Sequence, residues 1–353
     1  MSTPAATPEF WSADAERLAK VWVIAEIGVN HDGDPARAAE LIGAAADVGA
    51  DAVKFQLFQP DRLLSAEAGL AGYQDGQADD VRALLDRLML SVNQLRELRG
   101  VAQDAGVAFV VTPFSVPDVA DLGLLDVDAV KFASPDAVNR PLLDAASGLG
   151  RPMLISTGTC ELGELGVAAE HAARSGGALL QCVSSYPTPD NEAALGAIAA
   201  LRQRFGVAVG YSDHTAALDT GALAVVAGAC VLEKHLTHDR GAQGPDHAAS
   251  VEPAGLREYV AAARRAAAMV GPIEKTCRNI ERDVRRVSRQ SVCTARDLPA
   301  GHVLERSDLV VKRPGTGLPA GRFESLVGAK LRRGVRGDVP LRAEDVAEGG
   351  SSE

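Results

Sequence analysis

Along the first 250 residues, polar and charged side chains sit at the ends of short apolar runs, where a hydrophobic core has no use for them. The first run carries Glu26 and is followed by Asn30 and His31. Lys54 and Gln56 lie in the second, Thr112 in the third, and Lys131 in the fourth with Ser134 just after it. Then come Ser156, Ser184 with Tyr186, Ser212 with His214, and Glu233 with His235. Extended chain alternates its side chains, so Lys54 shares a face with Gln56 and Glu233 shares one with His235. Phe55 and Lys234 face the other way. Lysines inside apolar runs need anions, because an unpaired buried ammonium is costly. A small substrate with one carboxylate and one phosphate satisfies both Lys54 and Lys131. The four serines have two readings that share one geometry, since each can cap a following helix or hold an anion at that helix N-terminus. His214 and His235 are candidates for a divalent metal, Mn²⁺ or Mg²⁺, acting as a Lewis acid on a carbonyl. Their spacing is not that of an HExxH motif, and a hydrogen-bonded histidine pair is the alternative.

The elements that must position these groups alternate. Apolar runs at 21–27, 52–57, 108–112, 129–132, 153–156, 178–183, 207–211 and 229–233 are short and Gly-bounded or rich in β-branched residues, as buried parallel strands are. Between them lie Ala-rich amphipathic stretches such as 35–48, which Pro35 starts and Gly49 stops, and 161–175, closed by Gly176-Gly177. Strand then helix, eight times over, predicts an α/β protein with a (β/α)₈ TIM barrel, whose sites lie at the C-terminal strand ends. A doubly wound open sheet is the competing fold, but no GxGxxG follows the first run. The connection from 59 to 93 is unusually long, with Gly72, Tyr73, Gln74 and Gly76 ahead of a helical stretch near 80–90. Following the second strand, it is expected over the barrel mouth.

After residue 270 the pattern changes. Residues 271–290 read as a charged linker, and 291–346 as a small β-rich domain with strand-like pieces at 291–294, 302–304 and 309–312. Residues 1–20 form an N-terminal extension and 347–353 a polar tail. A net charge of −11 argues against a nucleic-acid partner. No apolar run approaches the roughly 18 residues of a membrane span, and residues 1–20 lack a signal peptide's apolar stretch, so a cytoplasmic protein is expected. The five cysteines are scattered without a CxxC pair, which suggests neither zinc ribbon nor disulfide framework. They read as small apolar fillers.

These residues, taken in order, resemble the sialic acid (N-acetylneuraminate) synthases and their relatives that make legionaminic and pseudaminic acids. The motifs are Ile24-Ala25-Glu26-Ile27-Gly28-Val29-Asn30-His31, Val53-Lys54-Phe55-Gln56, Thr112-Pro113-Phe114, Lys131-Phe132-Ala133-Ser134 and Ser156-Thr157-Gly158. They continue with Ser184-Ser185-Tyr186-Pro187-Thr188-Pro189, Tyr211-Ser212-Asp213-His214-Thr215, Leu232-Glu233-Lys234-His235 and Gly244-Pro245-Asp246. Val311-Lys312-Arg313-Pro314-Gly315-Thr316-Gly317 resembles the antifreeze-like (SAF) domain that closes such chains. The resemblance implies phosphoenolpyruvate held by Lys54, Lys131, Ser134, Ser156, Ser184 and Ser212, and a metal on His214 and His235. It implies that Glu26 orients the sugar or manages protons, that Glu233 sits beside a metal-bound water, and that Gln56, Tyr186 and Asp246 meet the amino-sugar aldehyde. Arg313 would come from the partner subunit of a domain-swapped homodimer to cover the sugar's N-acyl end. The chain departs from the family pattern at Ser184, an Asn in some members, at Asp136, a Glu in some, and along Asp239-Arg240-Gly241-Ala242-Gln243. Two other functions compete: a Schiff-base pyruvate aldolase using Lys54 or Lys131, and a carbohydrate-binding protein on an inactive barrel.

Overall fold

The computed structural model describes residues 21–65, 81–272 and 274–347, in two compact units that divide at Ile273/Glu274. In the first, eight parallel strands close a barrel in chain order: β1 (Trp22–Gly28), β2 (Ala52–Leu57), β3 (Ala108–Pro113), β4 (Ala129–Phe132), β5 (Met153–Ser156), β6 (Ala178–Cys182), β7 (Ala208–Asp213) and β8 (Val231–His235). β8 pairs back onto β1, with Glu26 opposite His235. Helices follow the strands, and their starts are written locally. Asp34 caps Pro35–Asp47 by accepting from the Ala36 N–H, with Pro35 in the first turn. Ser91 and Gln94 form a capping box for Val92–Asp104.

The alternation of strand side chains divides the core in two. One set packs between barrel and helices, including Phe55, Phe109, Phe132, Tyr211 and Tyr259. The other fills the barrel interior: Ile24, Ala52, Val110, Ala129, Leu154, Leu180 and Val231. Two residues further along each of those strands stand Glu26, Lys54, Thr112, Lys131, Ser156, Cys182 and Glu233. The polar ring is therefore the next layer of the same inward face, resting on an apolar plug.

Three expectations need correction. Residues 161–175 form a 3₁₀ turn, Leu162–Glu164, and a shorter helix, Gly166–Ser175. β7 and β8 run two residues beyond the runs at 207–211 and 229–233. Ser212 and Asp213 are polar but remain in the ladder opposite Glu233 and Lys234, so hydrophobicity alone stops too early. Residues 302–304 form no strand; Val303 makes a single bridge to Lys330. Within the stretch read as a linker, Arg282–Ser288 is helical. In the long connection, Pro60–Leu63 and Val81–Leu88 are helical, whereas Gly72, Tyr73, Gln74 and Gly76 lie outside the described residues.

In the second unit, β9 (Ser291–Thr294) pairs antiparallel with β10 (Leu309–Lys312). Val292, Leu298, Leu304, Leu326, Leu331 and Leu341 form its core. Among the described residues, no helix is long and apolar enough to cross a membrane.

Candidate active site

A cavity of about 510 Å³ opens at the C-terminal strand ends, within the usual size of a small-molecule site. It is lined by Glu26, Lys54, Gln56, Thr112, Lys131, Ser134, Ser156, Ser184, Tyr186, Ser212, His214, Glu233, His235 and Asp246, whereas Asn30 and His31, also singled out from the sequence, are buried outside its lining. Arg313 belongs to the second unit, where it is exposed and lines a hollow with Arg289, Gln290 and Gly315.

The floor is a chain of buried charges. Lys54 Nζ stands 2.8 Å from Glu26 Oε1 and donates to Thr112 Oγ1 at 3.2 Å. Gln56 Nε2 donates to the same Glu26 oxygen. Lys131 Nζ donates to Ser156 Oγ at 2.6 Å and to the Phe132 carbonyl at 2.7 Å, with Glu233 Oε1 at 3.7 Å. Ser212 Oγ donates to that Glu233 oxygen at 2.8 Å. Two carboxyls on one floor are thereby driven apart. Burial, relieved in part by Lys54 and reinforced by the charge of Glu233, lifts Glu26 to about 7. Burial acts on Glu233 too, but Lys131 and Lys54 overcome it and hold Glu233 at about 2. Burial likewise opposes the charge of Lys54, yet Glu26 and Glu233 raise it, whereas Lys131 is pushed down by burial that Glu233 only partly offsets. Separated carboxyl values of this kind divide a proton carrier from a fixed anion.

Three serines spend their hydroxyls inside the site rather than on helix caps. Ser156 and Ser212 serve Lys131 and Glu233, and Ser134 Oγ accepts from the Gly158 N–H at 3.0 Å. A Cβ at position 158 would stand 2.5 Å from Ser184 Oγ and 2.8 Å from Ser134 Oγ. The glycine thus leaves a small hollow bordered by two hydroxyls and the Cys182 carbonyl, its own N–H being given to Ser134. Hydroxyls can donate to an anion. At Gly28, φ is +55° and the β1–β2 register shifts, and a Cβ there would meet Glu26 Oε1 at 2.8 Å.

On the opposite side of the mouth the His214 and His235 rings lie 5.5 Å apart, with Tyr186 4.0 Å from His214. The His214 Nδ1–H donates to the Val183 carbonyl at 2.8 Å, which leaves Nε2 for a ligand. His235 Nδ1 is buried without a hydrogen-bond partner, 3.7 Å from Asp246 Oδ2. Burial, with His214 and Lys54 nearby, holds His235 neutral at ordinary pH. On His214 burial is outweighed by Cys182 and the Val183 carbonyl, which raise its pKa, so a metal there competes with a proton. Among the described residues no group of three or more His, Cys, Asp or Glu is arranged to hold a metal. The pair fits a site in which two imidazoles would hold a metal and the remaining ligands would come from outside these side chains.

Some roles were not read from the sequence, although Asn30 itself was noted there. Asn30 Nδ2 donates to the Leu236 carbonyl and to Ser250 Oγ, both at 2.8 Å, and Ser250 Oγ donates to the Asp246 carbonyl. This ties the β1 and β8 loops together under Asp246. Cys182 lines the cavity 3.8 Å from His214 Nδ1. Val81–Leu88 supplies an apolar wall, and its leucine spacing reads in sequence as ordinary packing.

Fold and floor together describe a (β/α)₈ barrel with a floor of buried charges and a two-histidine mouth. The chain belongs to the NeuB family, which matches residues 41–275, and a SAF domain matches residues 289–347. It is thus a nonulosonic acid synthase of the phosphoenolpyruvate-condensing transferase type. It is 36% identical over 335 residues to N,N'-diacetyllegionaminic acid synthase of Legionella pneumophila, covering 92% of this chain and 94% of that one. It is 30% identical to human N-acetylneuraminate-9-phosphate synthase, covering 92% of each. The structure of N-acetylneuraminic acid synthetase from Leptospira borgpetersenii superposes with a TM-score of 0.68 at 32% identity, over 75% of this chain and 90% of that one.

Proposed function

We propose that the enzyme condenses phosphoenolpyruvate with N-acetylmannosamine or a related hexosamine, such as a 2,4-diacetamido sugar, to give a nine-carbon 2-keto acid and inorganic phosphate. The observation that carries this reading is the floor: two buried lysines, a serine–glycine hollow between them and the mouth, and two carboxyls of opposite protonation. Lys54 and Lys131 fix the substrate's carboxylate and phosphate, with Ser134 and Ser184 around the phosphate, so that C3 faces the sugar's aldehyde carbon. The C3–C1 bond forms, and the carbonyl oxygen takes a proton, which Glu26 supplies because its pKa near 7 leaves a large fraction protonated in neutral solution. Water adds at C2, the bond from C2 to the phosphate ester oxygen breaks, and the ketone remains. Glu233, an anion held by Lys131 and Ser212, orients the water. Gln56, Tyr186 and Asp246 position the sugar, so much of the rate comes from placement and electrostatics. His214 and His235 would hold Mn²⁺ or Mg²⁺, whose chemistry is Lewis-acid polarisation of the aldehyde. The test is phosphate release from phosphoenolpyruvate across a panel of hexosamines, before and after chelation. Turnover should vanish on metal stripping and return with Mn²⁺ or Mg²⁺; full activity in the stripped protein would count decisively against the metal. The lowered pKa of Lys131 keeps a Schiff-base aldolase as the second reading, and borohydride trapping of a pyruvate adduct would favour it.

The proposal extends to a cytoplasmic homodimer in which Arg313 of each small domain completes the other subunit's site. Glu26→Gln and Arg313→Ala should each be nearly inactive alone. Co-refolded, they should recover about a quarter of wild-type activity through one good site in each mixed dimer. No recovery despite mixed dimers rules the exchange out.

A further inference from the structure

Resting on the synthase reading, we infer that Asp32 and His247, neither of which lines the cavity, are a positioning pair that aims Asp246 at the sugar. Asp246 lies in the loop after β8, beside Pro245 in the cavity lining, and its Oδ2 stands 3.7 Å from His235 Nδ1. A loop is a soft support for a side chain that must hold a substrate, so its backbone needs fixing from behind. Behind it is His247, the next residue, fully buried at the start of the 3₁₀ turn His247–Ala249. Its ring is held at both nitrogens. The Nε2–H donates to Asp32 Oδ1 at 3.0 Å, and Nδ1 is hydrogen-bonded to Thr237 Oγ1 at 2.6 Å. The imidazole thereby clamps the Asp246 loop between the turn after β1 and the exit of β8.

Three observations set this pair apart from a histidine that only fills a core. Gly244 packs on the contact itself: a Cβ there would stand 2.6 Å from His247 Cδ2 and 2.9 Å from Nε2, with Asp32 Oδ1 at 3.3 Å. The glycine of Gly244-Pro245-Asp246 thus makes room for the pair. Asp32 has a φ of +52°, a left-handed conformation seldom taken by residues with a side chain and kept only where the surroundings enforce it. Arg37 holds its second oxygen, and the turn has no slack, since a Cβ at Gly33 would collide with the Arg87 carbonyl oxygen. Finally, the pair complements the Asn30–Ser250 bond, which grips the Asp246 carbonyl. One anchor leaves the loop free to turn about it, whereas two on either side of the peptide fix the direction of the Asp246 side chain.

Steady-state kinetics of the full-length enzyme test the pair, with Mn²⁺, phosphoenolpyruvate and the hexosamine of the panel that releases phosphate fastest. Asp32→Gly keeps the left-handed backbone and removes the carboxylate. His247→Phe keeps an aromatic ring and removes both hydrogen bonds. Each should lower kcat/KM for the sugar by about tenfold to a hundredfold, the cost of misplacement by about an ångström. The Michaelis constant for phosphoenolpyruvate, held on the floor, should stay at the wild-type value. The double variant should be no worse than either single one, because both break the same contact. His247→Gln, whose amide nitrogen can reach the Nε2 position, should recover much of the loss. Should His247→Phe misfold, Asp32→Gly and His247→Gln carry the same comparison. An unchanged sugar kcat/KM in Asp32→Gly, equal rises in both Michaelis constants, or losses that add in the double variant overturn this inference and leave the synthase reading standing. No keto acid from the wild type with any sugar of the panel sinks the synthase reading, and this inference with it.

Discussion

Two buried charge clusters share the same strands, β7 and β8, and differ by one residue in register. Ser212, His214, Glu233 and His235 point into the barrel; Asp213 and Lys234 point out toward the helices. The outer pair is an ion pair enclosed in protein. Lys234 Nζ faces three oxygens, the Thr215 carbonyl at 2.6 Å, the Ala217 carbonyl at 3.3 Å and Asp213 Oδ2 at 3.1 Å, with the Tyr259 ring beneath it. Asp213 Oδ1 accepts from the backbone and hydroxyl of Thr215. Polar atoms buried without hydrogen-bond partners occur on both faces, Asp213 Oδ2 and the Tyr259 hydroxyl outside and Glu26 Oε2, Glu233 Oε2 and His235 Nδ1 inside, but the inner residues line the cavity and the outer ones do not. Burial raises the cost of charge on both faces, but the outer charges are opposed within packed protein by the Asp213–Lys234 ion pair, whereas the inner ones face a cavity that a ligand can enter. Buried charge alone therefore does not mark a site; buried charge with unsatisfied neighbours facing a cavity does.

Substitutions on the two faces should separate function from stability. The largest effect belongs inside. Glu26→Gln should lower kcat by about a hundredfold to ten-thousandfold, the span of general acid–base catalysis. The wild-type kcat/KM should fall as pH rises through about 7, since Glu26 loses its proton there. A variant that keeps this alkaline limb would exclude Glu26 as its source. Next comes the outer pair. Lys234→Met strands Asp213 as a buried charge and should destabilise the fold by about 3–5 kcal/mol, read as a lowered melting temperature. The kcat/KM of its folded fraction should stay within a few-fold of wild type, and a large catalytic loss at unchanged stability would collapse the distinction between the faces. Smaller again is Lys131→Ala, which removes charge-assisted hydrogen bonds worth about 1.5–3 kcal/mol. The Michaelis constant for phosphoenolpyruvate should rise far more than that for the sugar; equal rises refute the anion assignment. Least of all, Asp213→Asn added to Lys234→Met should recover part of the lost stability, because it neutralises the stranded charge.

The inward face was legible because it needs only a period of two. Once Ile24, Ala52 and Val231 are placed inside, Glu26, Lys54 and Glu233 follow. Sequence alternation also turned Lys234 outward, but its partners Asp213 and Thr215 are set by strand pairing and a loop, which the local pattern does not carry. The Asn30–Ser250 bond joins residues 220 positions apart and leaves no local trace. The ends of β7 and β8 were misplaced because the strands continue into the polar residues that serve the site. The apolar wall was hidden because a leucine-spaced helix is what any packed helix looks like.

The pairing of β8 back onto β1 also sets when the site can exist. Glu26 lies opposite His235, and Asn30 reaches Leu236 across 206 residues of chain. Such contacts return energy only after the loop entropy of the whole barrel has been spent, which makes them late in folding. A ribosome-bound chain that has not yet released β8 lacks Glu233 and His235, however well β1 to β6 have formed. The emerging polypeptide thus presents Lys54 and Lys131 without the carboxylate that faces Lys131, and the barrel becomes competent in one closing step.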